Sequence, residues 1–319
     1  MKAAIYDTPG APDVLKYVDI PDPTLGPSDV LIRVEAISIE GGDLINRRTT
    51  TPPRPAWVVG YAAAGTVAAV GTNVRDRQVG DRVAAFDMQG SHAERWAVPA
   101  GQTWRIPDGV EAADAAVLPI SFATAHHCLF ARGALRPGET VVIQGAAGGV
   151  GLAAVQLAAN AGAKVVAVAS GAQRSQRLMA LGAQHVVDRL AENVQETVQH
   201  ITKGAGADLI IDPVGTTLAS SLHALAPQGR LVFVGNAGGD DLSVDLWPAM
   251  QANQTLLGVF MGPLFKTPEV RSSVDHLLQA LASGEIRAVI ERAFPLAEAA
   301  AAHAFAETTK PLGRIVMNP

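Results

Sequence analysis

At 319 residues, 48% of them apolar and 17% charged, the chain is long enough for two domains and too apolar to be disordered. A formal net charge of −5 argues against nucleic acid or an anionic membrane as the main partner. No apolar run reaches spanning length, and the first residues enter a strand-like pattern directly, with no signal peptide. The single cysteine, Cys128, excludes an internal disulfide and a four-cysteine zinc lobe; it sits in the apolar run 122–130 and reads as a buried small hydrophobe. A cytoplasmic, metal-independent protein is the simple expectation.

Residues 1–117 are punctuated by turns and rich in strand patterns. The segment 30–36 alternates in part, 65–71 is bounded by glycines, and 79–86 reads as a Gly-Asp turn followed by a strand. Helical periodicity is scarce, which predicts a small, partly closed antiparallel barrel. Residues 118–262 alternate strand and helix, with strands expected at 141–144, 165–169, 185–188, 208–212, 230–235 and 255–260. Between the first two, Val150, Ala153, Ala154, Leu157, Ala158 and Ala161 recur at helical spacing. Such alternation predicts an α/β fold with a doubly wound parallel sheet. Residues 263–319 hold two helical patterns, 274–283 and 296–307, and a closing strand at 313–317. They are too few to form a domain, so they are expected to return to the first part. The domains are therefore 1–117 with 263–319, and 118–262.

The most informative stretch is 140–151, Thr-Val-Val-Ile-Gln-Gly-Ala-Ala-Gly-Gly-Val-Gly. An apolar strand ends in a small-residue turn and continues as a helix. Backbone N–H groups at such a helix start cradle a pyrophosphate, and the helix dipole adds favourable potential. A dinucleotide ligand follows. The next strand selects the kind: folds that prefer NAD place Asp or Glu at its end, about 20 residues past the glycines. Here Ser170 stands there, followed by Gly171, with Arg174 four residues on and Arg189 after the next apolar run. With no carboxylate in this stretch and guanidinium forks suited to phosphate, NADP(H) is favoured over NAD(H). Read from residues alone, the two arginines as ordinary solvated charges remain open.

In ordered series, several segments resemble the medium-chain dehydrogenase/reductase superfamily, most closely its zinc-independent quinone oxidoreductase branch. They are Met1-Lys2-Ala3-Ala4, Val79-Gly80-Asp81-Arg82-Val83, Gly90-Ser91-His92-Ala93-Glu94, the glycine loop, Ala180-Leu181-Gly182-Ala183, Asp212-Pro213-Val214-Gly215 and Gly313-Arg314-Ile315-Val316. The resemblance implies a GroES-like β-barrel domain beside a Rossmann domain, with NADPH in the cleft. Carried over, it implies that Ala147, Gly148, Gly149 and Val150 face the pyrophosphate. Ser170, Arg174 and Arg189 hold the 2′-phosphate, Asn236 and Phe260 lie near the nicotinamide, Thr124 faces the cofactor, and Arg314 lies near its phosphates. It also implies a homodimer joined along the strand at 255–260.

Two departures matter. Zinc-dependent relatives carry Cys near position 38 and Gly-His-Glu near 60–62; this chain has Ser38 and Gly60-Tyr61-Ala62, so no metal is expected. The branch's Asn-Pro-Val-Asp loop is here Glu40-Gly41-Gly42-Asp43, expected to be pliable for its two glycines. An ionised Glu40 cannot donate a hydrogen bond to a substrate carbonyl; it would need a pKa raised by burial. The function implied is metal-free hydride transfer from NADPH to a small electrophilic acceptor, a quinone or an α,β-unsaturated carbonyl compound. Solvent, Glu40 or Tyr61 would supply the following proton. The alternatives are an enoyl-thioester reductase, disfavoured because 44–48 contains no aromatic residue, and a non-catalytic NADPH-binding sensor or structural protein.

Overall fold

The computed structural model describes residues 1–239 and 241–319. The chain divides into two compact units, 1–123 with 262–319 and 124–261.

The first unit contains β1 (Lys2–Tyr6), β2 (Lys16–Asp19), β3 (Asp29–Ile39), α1 (Gly41–Thr49), β4 (Trp57–Val58), β5 (Ala62–Val70), β6 (Arg82–Phe86), β7 (Arg95–Pro99) and β8 (Thr103–Arg105). α2 (Ala112–His126) runs across the division between the units. The second unit contains β9 (Thr140–Ile143), α3 (Gly149–Asn160), β10 (Lys164–Ala169), α4 (Ser175–Met179), β11 (His185–Asp188), α5 (Val194–Ile201), β12 (Ala207–Asp212), α6 (Leu218–Ala224), β13 (Leu225–Phe233), α7 (Trp247–Gln251) and β14 (Thr255–Gly258). The chain then returns through α8 (Met261–Leu264), α9 (Pro268–Ala282), β15 (Ile290–Pro295), α10 (Ala299–Thr308) and β16 (Arg314–Asn318).

In the first unit β3 is the spine. It pairs antiparallel with β5, β7 and β16, within a seven-stranded sheet completed by β6, β8 and β15. Val30, Ile32 and Val34 point inward at the two-residue period of a pleated strand, and they join Val83, Trp96, Phe294 and Met317 in one core; past a register shift the core positions move to Ile37 and Ile39. A smaller sheet of order β2-β1-β4 adjoins it.

One expectation about this unit is corrected. Glu40-Gly41-Gly42-Asp43 is not a pliable loop: Glu40 is the extended N-cap residue of α1, and both glycines lie in the first helical turn. Glycine is a poor helix former, so the helix start depends on its caps. The Glu40 N–H donates to Asp43 Oδ2 at 2.8 Å, and Arg47 and Arg48 in the last turn complement the helix dipole. Gly42 is required for space, since a Cβ there would lie 2.2 Å from Tyr61 Cε2, inside the ring's volume.

In the second unit six strands form one wholly parallel sheet of order β11-β10-β9-β12-β13-β14. This is the doubly wound α/β order, and the order reverses between β9 and β12. Its central strands are apolar throughout because both faces are covered: Val141, Val142, Ile143, Leu209, Ile210 and Ile211 are all fully buried. Cys128 is fully buried as expected, and burial pushes its thiol pKa up to about 12, leaving it unreactive.

Candidate functional site

The glycine loop lies at the switch point of the parallel sheet, where α/β folds place ligands. β9 ends at Ile143, Gly145 takes the left-handed conformation (φ +57°), and Gly148 is the N-cap of α3. Two glycines here do different work. Gly148 is exposed, and a Cβ on it would meet only Gly145 O at 3.4 Å, so the backbone surface stays open to a ligand. At Gly151 a Cβ would lie 2.4 Å from Gly145 O and 2.6 Å from Ala146 Cα. That contact is what lets α3 sit against the turn. The first N–H groups of a helix have no partner within it, and here they belong to Gly149, Val150 and Gly151, while the Gly148 N–H closes the turn onto Gly145 O at 3.0 Å. The donor array and the open backbone fit a pyrophosphate.

A second wall stands beside this loop. Asp212, buried at the end of β12, accepts hydrogen bonds from the N–H groups of Val214 (2.9 Å) and Gly215 (3.0 Å) and from the hydroxyls of Thr217 (2.7 Å) and Ser221 (3.0 Å). Gln144 donates to Ser221 Oγ at 3.1 Å, which ties this network to the end of β9. Asn236 belongs to the same cluster. Ala237 and Gly238 donate to Pro213 O and Val214 O, and Asn236 Oδ1 accepts from the Gly239 N–H at 3.3 Å. Nothing in the sequence spacing showed that Asp212 organises these loops; its signal is a carboxylate inside an apolar strand.

At the next strand ends Ser170, Arg174 and Arg189 come together. Arg174 Nη1 donates to Ser170 O at 2.6 Å, and the Arg189 N–H donates to Ala169 O at 3.0 Å. Contrary to the expectation from sequence, this turn is not free of carboxylates. β11 runs parallel beside β10 with Asp188 opposite Ala169, and Asp188 Oδ1 accepts from the Gly171 N–H at 2.9 Å and the Leu190 N–H at 3.1 Å. Those two backbone donors hold its pKa below the usual carboxylate range, with Arg189 and Arg174 adding to the effect. A search along one strand could not find it, since it is supplied by the neighbour.

In the first unit the end of β3 and the start of α1 gather a polar cluster. Glu40 is buried; Oε1 accepts from the Ser38 hydroxyl at 2.7 Å and Oε2 is ion-paired with Arg314. Arg314, expected near cofactor phosphates, also donates from the same Nη2 to Ile39 O, while its buried Nε has no hydrogen-bond partner. Asp43 is fully buried and its Oδ1 has no hydrogen-bond partner. Burial raises its pKa well above the carboxylate range, against the pull of the Glu40 N–H, and the Glu40 charge adds to the rise. Tyr61 lies over Gly42, edge-on to Phe86 at 6.4 Å between ring centroids, and its hydroxyl oxygen accepts from Asn46 Nδ2 at 2.5 Å. Burial, with Asp43 nearby, pushes its pKa to about 12, so the phenol keeps its proton.

Thr124 is buried in α2, and Phe260 follows β14 with 73% of its surface exposed. Zinc does not fit the residues present. Ser38 is bonded to Glu40, positions 61 and 62 are Tyr and Ala, and among the described residues no three His, Cys, Asp or Glu side chains converge.

Two family models match the chain: the alcohol dehydrogenase GroES-like domain over residues 26–108 and the zinc-binding dehydrogenase domain over residues 149–282. The chain is 33% identical to a quinone oxidoreductase of Pseudomonas aeruginosa, with 97% of each chain covered. It is 30% identical to a 2-haloacrylate reductase of a Burkholderia species, over 99% of this chain and 98% of the other. Among solved structures, the Escherichia coli quinone oxidoreductase complexed with NADPH superposes with a TM-score of 0.93 at 27% identity, covering 100% of both chains.

Proposed function

The chain belongs to the quinone oxidoreductase-like branch of the medium-chain dehydrogenase/reductase superfamily and is an NAD(P)H-dependent oxidoreductase; from that premise we propose that it uses NADPH to reduce a quinone or an α,β-unsaturated carbonyl compound without a metal. The observation that carries this reading is the helix-start cradle at 145–151 together with the Ser170–Arg174–Arg189 cluster at the next strand ends. Bound there, a nicotinamide coenzyme supplies the hydride.

The chain's own residues hold and orient. Ala147, Gly148, Gly149 and Val150 face the pyrophosphate, with the N–H groups at the start of α3 donating to it, and Arg174 and Arg189 receive the 2′-phosphate. Asn236 and Phe260 are assigned to the nicotinamide side, and Thr124 faces the cofactor. Between the two candidate proton donors, geometry favours Tyr61. Both Glu40 oxygens are engaged, by Ser38 and by Arg314, so Glu40 serves as an anchor for Arg314. The Tyr61 hydroxyl accepts from Asn46 and keeps its own proton to give. The names of the relatives point to activated C=C or quinone acceptors.

Steady-state NADPH oxidation with 1,4-benzoquinone, 9,10-phenanthrenequinone and 2-chloroacrylate tests the proposal, and tight NADPH binding with no turnover on any of them would make the protein a non-catalytic binder. Arg174→Ala should weaken NADPH binding roughly tenfold or more while leaving NADH nearly unchanged, because one charge-assisted contact is worth about 1.5–3 kcal/mol; an equal loss for both coenzymes removes the phosphate role. Tyr61→Phe should lower turnover about 100-fold with an enone acceptor and far less with a quinone, whose reduced anion is stable without a nearby acid. Identical losses with both acceptors would assign Tyr61 to packing.

The expected homodimer would use β14, the edge strand, beside which Trp247, Met250, Leu256 and Phe260 are exposed. Light scattering of Leu256→Asp against wild type reads this directly. Among the described residues no helix is long and apolar enough to cross a membrane.

A further inference from the structure

Asp188 stands where a coenzyme-binding fold reads the adenosine ribose, yet it comes from β11 and not from β10. The parallel pairing Ala169↔Asp188 brings both strands to an end at one level. Beyond it the chain turns at Gly171, whose φ of +89° belongs to the left-handed region. The Gly171 N–H, which would otherwise be open to an incoming oxygen, is taken by Asp188 Oδ1 at 2.9 Å. A second carboxylate stands behind: Glu192 Oε1 accepts the Asp188 N–H at 3.0 Å. The notch therefore holds two carboxylates against the two guanidinium groups of Arg174 and Arg189. A phosphate dianion entering it meets cations that attract and an anion that repels, whereas a ribose hydroxyl meets an acceptor.

We propose that Asp188 is a specificity-determining residue that holds back the preference for NADP(H), so that NAD(H) competes for the same site. This rests on the reading of the 170–189 notch as the adenosine site. The residue acts by charge at the ribose 2′ position and through the Gly171 N–H it occupies. Its effect must therefore fall on one coenzyme of the pair and must be screened by salt.

The test is a coenzyme titration of the full-length protein, wild type and Asp188→Asn, with NADP⁺ and NAD⁺ followed by isothermal calorimetry. The asparagine keeps an acceptor for the Gly171 N–H and removes the charge. NADP⁺ is expected to bind about three- to tenfold more tightly and NAD⁺ to change less than about twofold, with the gain shrinking between about 0.02 M and about 1 M salt. Asp188→Ser, with a shorter acceptor and no charge, should move the ratio in the same direction and guards against a folding defect peculiar to one variant. Unchanged or equally shifted affinities in both variants, or a gain indifferent to salt, would overturn the proposal. Arg174→Ala separates the two levels. If it weakens NADP⁺ while the Asp188 variants leave the ratio alone, the site stands and the role of Asp188 falls. If wild type binds neither coenzyme, or Arg174→Ala changes nothing, the site itself is misplaced and both fall.

Discussion

Gly151→Ala is expected to abolish measurable NADPH binding and to destabilise the second unit by about 1–3 kcal/mol. Alanine is the better helix former by about 1 kcal/mol, so propensity alone predicts the reverse. The contact decides the sign. The new Cβ would lie 2.4 Å from Gly145 O and 2.6 Å from Ala146 Cα, and both are backbone atoms that no rotamer change can move. α3 has to shift away from the turn, and the N–H array at its start shifts with it. Gly148→Ala supplies the contrast. Its φ of −81° suits any residue and its Cβ would be 3.4 Å from the nearest atom. That variant should unfold at the wild-type temperature yet bind NADPH more weakly, because the methyl group intrudes on the exposed side of the cradle. Thermal unfolding and NADPH fluorescence titrations on both variants read the two effects apart. Wild-type affinity in Gly151→Ala would mean that the loop is not the pyrophosphate site.

The second large effect is acid lability of the first unit. His92 and His303 are fully buried with Nε2 atoms 3.0 Å apart, so one donates and the other accepts, and the hydrogen bond is lost once both rings are protonated. Burial lowers the His92 pKa to about 3. Burial lowers His303 well below its ordinary value, and the His92 and Arg47 charges add to this. Arg47 is itself fully buried, ion-paired to Glu307.

For a depressed histidine the unfolded chain takes up a proton below pH about 6.5 that the native state refuses. Stability is therefore present above that pH and is lost as pH falls, by up to about 1.4 kcal/mol per pH unit for each imidazole. Asp43 opposes this. Its raised native pKa means the folded state holds a proton that the unfolded chain releases above its ordinary value of 3.8, so this contribution is lost as pH rises. Asp43 can offset at most one of the two protons that the imidazoles take up on unfolding, so below pH about 6 the histidines set the sign.

Urea unfolding followed by tryptophan fluorescence should show stability falling by about 1–2.5 kcal/mol as pH drops from about 6 to about 5, with a steeper fall in Asp43→Asn and a shallower one in His92→Gln. Trp96 and Trp104, both buried in the first unit, report it. A midpoint indifferent to pH over that range would show that the imidazoles titrate normally.

The sequence by itself determined the six-stranded parallel sheet, the strand–glycine–helix turn at 140–151, the alternation of β3 and the burial of Cys128. Each of these is written in residues less than about a dozen apart, where period, glycine and apolarity act directly. Tertiary structure alone decided the rest. Two glycines read locally as a pliable loop, but they begin a helix because caps hold it and the Tyr61 ring leaves no room for a side chain at Gly42. The turn after β10 reads as free of carboxylate, and Asp188 reaches it across a parallel pair. Glu40 finds Arg314, and His92 finds His303, across most of the chain. Charge and hydrogen bonding act through space over a few ångströms, so they are fixed only once the fold has brought distant residues to that distance.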